Sequence, residues 1–121
     1  MKYVYAILSW GIVALGAVHM LATLHLFHTL NSAALWFFSG GIALALTGAL
    51  NLLHRVYGRI APGLRRVCLG TNILMTIFGV LSGVVTHANV AQFTLVLGLI
   101  GGATVLSLSR RALIQPAEFT D

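Results

Sequence analysis

Polar and charged positions cut the chain into four long apolar stretches, spanning roughly residues 3–27, 33–54, 64–86 and 90–108. Each is long enough, at about 1.5 Å per helical residue, to cross about 30 Å of hydrocarbon. None offers charged residues at helical spacing, so none can turn a wet face to water as the helices of a soluble bundle do. The pattern predicts helices at 3–27, 33–56, 62–87 and 90–110. They form one all-α transmembrane domain over residues 1–121, a four-helix bundle running up-down-up-down.

The chain between these stretches supplies helix ends. Asn31 and Ser32 can cap the second helix, Gly58 can close it, and Pro62 suits the first turn of the third. Asn89 with Gln92 has the spacing of a capping pair at the start of the fourth. Residues 115–121, QPAEFTD, read as a short polar tail. The rings of Tyr3, Tyr5, Trp36, Phe37, Tyr57 and Phe93 fall near the expected membrane interfaces. Lys2 ahead of an apolar run resembles a signal peptide, but the run is too long and reads as a retained helix.

Composition agrees with lipid as the solvent: 59% of the 121 residues are apolar and 7% charged, and mean hydropathy is +0.97. Charge adds orientation. In a four-span arrangement Lys2, Arg55, Arg59, Arg65, Arg66, Arg110 and Arg111 all fall on one side. The positive-inside rule then puts both termini in the cytoplasm. The net charge of +5 forms a one-sided collar suited to anionic headgroups, and nothing calls for nucleic acid. Such asymmetry argues against dual insertion, and the small size and short loops suggest a bacterial inner membrane. The single cysteine, Cys68, allows no disulfide within the chain.

Short loops make neighbouring helices hairpins, so residues equidistant from a loop should lie level. This pairs Asn51 with Asn72, Thr47 with Thr76 and Gly40 with Gly83 across the second connection. Across the third it pairs Gly79 with Gly98 and Gly83 with Thr94. Asn51 and Asn72 are expected to bond between helices. GVLSG (79–83) and GLIGG (98–102) are small-xxx-small patterns that let membrane helices approach closely. They predict that the third and fourth helices are the closest pair.

The segment HMLATLHLFH (19–28) carries the candidate chemistry. His25 and His28 share a helix face, lie level with His87, and could together hold zinc or copper with a position open. No Asp, Glu or Cys on that side supports them, so imidazoles resting at the interface without a ligand are the stronger reading. His19 sits deeper, roughly 8–15 Å from the outer helix end. An ionisable group at that depth is a functional candidate. Gly40, Gly41, Ser82, Gly83 and Thr94 are expected near its level, with Gly16 close by. These small residues could leave a niche for a b-type haem or a quinone. The competing reading has His19 hydrogen-bonded to Ser82, Thr94 or a backbone carbonyl. No second imidazole matches its depth, which disfavours a bis-histidine haem. His54 is expected at the cytoplasmic rim, facing headgroups or capping a helix.

The four spans contain no Asp, Glu, Lys or Arg away from the basic side, which removes carriers that work through a buried carboxylate and Ser/His/Asp catalysis. Paired histidine boxes are also missing, so an enzyme is the minority reading. Three functions are expected in descending order. The first is a membrane-embedded module holding a haem, quinone or transition metal through outer-half histidine. The second is an accessory or assembly subunit packing through glycine faces against a larger membrane partner. The third is an oligomeric channel or carrier with a polar axis of Thr47, Asn51, Asn72 and Thr76.

Overall fold

A computed structural model describes residues 1–115. It is all-helical, with α1 (Lys2–Leu26), α2 (Ser32–Tyr57), α3 (Pro62–Val85) and α4 (Val90–Leu108), followed by one 3-10 turn (Arg110–Ala112). All four long helices are long and apolar enough to cross a membrane. The fourth ends two residues earlier than expected, because Ser109 leaves the helix and its hydroxyl accepts from Arg111 N–H at 3.3 Å. Of the polar tail, residues 116–121 lie outside the described residues.

Helix ends follow local chemistry. Asn31 accepts from Ala34 N–H at 2.8 Å and so satisfies one orphan donor of α2. Asn89 accepts from Ala91 N–H at 2.8 Å at the start of α4. Pro62 occupies the first turn of α3, where its missing N–H costs nothing. The α3–α4 connection closes as a Schellman turn: Ala88 N–H bonds Gly83 C=O at 3.0 Å and His87 N–H bonds Val84 C=O at 3.4 Å. His87 takes the left-handed position, at φ 50°, that glycine usually fills.

The closest helix pair is α1 with α2, which corrects the expectation for the last two helices. Where a Cβ would stand on Gly16, the Gly41 carbonyl oxygen and the Ala45 nitrogen are both 2.6 Å away. On Gly48 the same position is 2.7 Å from Ser9 O and Val13 N. Backbone touches backbone at these levels, and only glycine permits it. By contrast, a Cβ on Gly98 or Gly101 would meet nothing within 4 Å, and one on Gly79 would meet only Val96 and Leu97 side chains at 3.9 Å. Gly83 is covered by the Phe93 ring. The small-residue pattern of α3 therefore receives α4 side chains, and these two helices lack the backbone-to-backbone contact of α1 with α2.

The core of Tyr5, Ile12, Leu44, Ile100, Ala103, Ala112 and Leu113 gathers toward the end of the bundle that carries the arginines. In α3 only Cys68 and Asn72 are buried, and in α4 only Ile100, Ala103 and Ser107. The chain after α4 folds back to help close this end: Leu113 is buried and Ile114 N–H donates to Arg55 O at 2.9 Å.

Candidate functional site

Among the described residues, no group of three or more His, Cys, Asp or Glu is placed to hold a metal ion. His25, His28 and His87 are exposed and are not brought together. His87 has a different role, as the left-handed residue of the α3–α4 turn. His28 lines a cavity of about 160 Å³ with Thr23, Leu24, Phe27, Thr29, Leu30 and Ala34. That is below the roughly 300–1,000 Å³ of ordinary cofactor sites.

The surroundings of His19 are filled from within the chain. Its ring stacks on Phe37, with centroids 3.9 Å apart and planes 15° from parallel, and Phe37 in turn leans on Phe27 at 5.8 Å. The space a Cβ would take on Gly40 lies 3.4 Å from His19 Nε2, so this glycine accommodates the imidazole itself. Gly41 is used at the helix contact, against Gly16 O and the Met20 side chain. Gly83 lies under Phe93, and Thr94 is exposed. Ser82 gives its carbonyl to Thr86 Oγ1 at 2.7 Å. The glycine niche expected around His19 is thus an aromatic stack.

The concentrated polar chemistry lies elsewhere, at the arginine-bearing end. Tyr5 of α1, Asn51 and His54 of α2, and Cys68 and Asn72 of α3 are all fully buried, at 0% exposure. His54, expected at the rim, is inside, and so is Tyr5, expected at an interface. Asn51 and Asn72 exchange two amide hydrogen bonds of 2.8 Å, the pair that level-matching predicts. Tyr5 joins them through its hydroxyl, 2.7 Å from Asn51 Oδ1 and 2.9 Å from His54 Nδ1. Cys68 Sγ lies 3.7 Å from Asn72 Nδ2. The seam continues into α4, where Thr76 and Thr104 hydroxyls are 3.0 Å apart.

The directions of these bonds are determined by groups with no choice. The Thr47 carbonyl can only accept, so the atom 2.8 Å from it must be Asn51 Nδ2. That turns Asn51 Oδ1, which can only accept, toward Tyr5. The single Tyr5 hydroxyl proton therefore goes to Asn51, and the proton on the His54–Tyr5 bond must come from His54 Nδ1. Nε2 of the uncharged ring then bears a lone pair, buried and without a hydrogen-bond partner among the described residues. It stands against Gly58, where a Cβ would lie 2.7 Å from it. Glycine at 58 thus makes room for the imidazole, while its own φ of −64° is ordinary.

Around this cluster the arginines bind helix ends. Arg59 Nη2 donates to Arg110 O at 2.6 Å, Arg65 Nη2 to Leu108 O at 3.4 Å, and Arg55 Nε to Lys2 O at 3.0 Å. Guanidinium groups from α3 and the α2–α3 connection thus meet the carbonyl-rich C-terminal end of α4, where positive charge is favoured, whereas Arg55 of α2 ties to the first residue of α1.

The fold therefore defines the class, a small all-helical protein with four helices suited to spanning a membrane and a buried polar cluster toward one end. Compared with protein-family models, curated proteins and solved structures, the chain matches none.

Proposed function

We propose that the chain is a non-enzymatic accessory subunit of a larger membrane assembly. In this reading the bundle runs up-down-up-down in a bacterial inner membrane with both termini cytoplasmic. The observation that carries it is the contrast between the two hairpins. The α1–α2 pair is sealed backbone to backbone. Residues 73–99 of the α3–α4 hairpin, by comparison, include no buried side chain. Phe78, Leu81, Val84, Val85 and Leu95 stand more than half exposed, and open space lies above Gly98 and Gly101. In lipid, helices associate through close packing at small residues, so this face suits a neighbouring helix. The cofactor reading draws less support, because Phe37 covers the His19 ring and the outer cavity is small.

Mild-detergent purification from the native membrane, by a tag at the N-terminus, tests the proposal. A stoichiometric membrane partner should accompany the chain and be lost in Gly98→Leu, whose own thermal unfolding stays unchanged. A chain that purifies alone and carries a Soret band, a metal or a quinone would overturn it.

A further inference from the structure

At the arginine-bearing end a cavity of about 200 Å³ is lined by Gly58, Arg59, Pro62, Arg65, Arg110 and Leu113. Three guanidinium side chains around one small space, Arg59 and Arg110 exposed and Arg65 half-buried, repel one another, and an anion between them relieves that repulsion. No carboxylate side chain lies among the described residues, since the two acids of the sequence are Glu118 and Asp121. The hydrogen bonds of Arg59 and Arg65 to main-chain carbonyls use few of their donors. Arg65 Nε is buried with no partner among the described residues. Pro62 brings the N-terminal end of α3 to the same wall. The residue before it, Ala61, gives that end no side-chain cap. Guanidinium forks gathered around a small cavity are the recognition chemistry of a phosphate.

We infer that this cavity binds one phosphate oxyanion, with Arg65 and Arg110 as its main donors. Two sources share that chemistry, the headgroup of an anionic phospholipid and free phosphate. The lipid source rests on the bilayer orientation proposed above, and the free ion does not.

Native mass spectrometry of the full chain in non-ionic detergent tests the site. The probes are phosphatidylglycerol, phosphatidylcholine and inorganic phosphate. One phosphatidylglycerol per chain should be retained where phosphatidylcholine is lost. Arg65→Gln with Arg110→Gln should weaken retention by about tenfold or more, the scale of losing a bidentate contact. Arg66→Gln with Arg111→Gln removes equal charge from residues outside the cavity, and should leave retention within about twofold. Displacement of the lipid by millimolar phosphate would assign the site to the free ion, and persistence to the headgroup; both keep the oxyanion site. Equal loss in the two double variants, or no preference for the anionic lipid, would overturn it. If the first double variant fails to fold, Arg65→Lys keeps the charge without the fork, and its retention should still fall. The Gly98→Leu change should not alter lipid retention, so failure of the subunit proposal is separable from failure of this one.

Discussion

Tyr5 occupies the centre of the buried cluster because its one hydroxyl must serve two neighbours, giving to Asn51 and receiving from His54. Tyr5→Phe leaves the ring in place and removes both bonds. The buried His54 Nδ1 then lacks an acceptor, and a loss of about 1–3 kcal/mol is expected in detergent unfolding. A double-mutant cycle of Asn51→Ala and Asn72→Ala should give a coupling of about 0.5–1.5 kcal/mol, the range found between membrane helices. A coupling near zero would mean that the two amides do not share their bonds. His87 gives the opposite sign. Its left-handed backbone is strained for any side chain, so His87→Gly should raise stability by about 1 kcal/mol. A variant less stable than the parent would point to a role for the imidazole itself.

At the scale of helices, the α1–α2 contact depends on glycines that face main chain, and the α4 glycines do not. Gly48→Ala puts a methyl 2.7 Å from Ser9 O and Val13 N, which neither helix can yield without separating; a loss of about 2 kcal/mol or more is expected. Gly98→Ala meets nothing and should be neutral or slightly stabilising. Thermal unfolding of the two variants in one detergent checks the contrast. The helices themselves were legible from hydropathy, since twenty apolar residues in lipid must satisfy their own backbone and helix is the available answer. Asn51 with Asn72 was legible too, because level-matching needs only loop positions. The closest pair was not. A small-xxx-small pattern is local to one helix, whereas Gly41 and Gly48, seven residues apart, matter only through the α1 backbone they meet. Tyr5 and His54 escaped for a related reason: depth places them near an interface, and only helix rotation turns them inward.

For the whole molecule, stability is concentrated at the arginine-bearing end, where the turn after α4 packs into the core. Leu113 is 1% exposed there, so Leu113→Ala should cost about 2–4 kcal/mol. The same substitution at exposed Leu81 should cost little, and unfolding midpoints of the two compare them directly. The return of residues 109–114 to the second helix also has a bearing on biosynthesis. Until those residues leave the ribosome, the amide of Ile114 cannot reach Arg55, and the carbonyls of Leu108 and Arg110 are not yet there for Arg65 and Arg59. The α1–α2 seal and the Asn51–Asn72 bonds need none of these residues, so the latch closes on helices that are already joined.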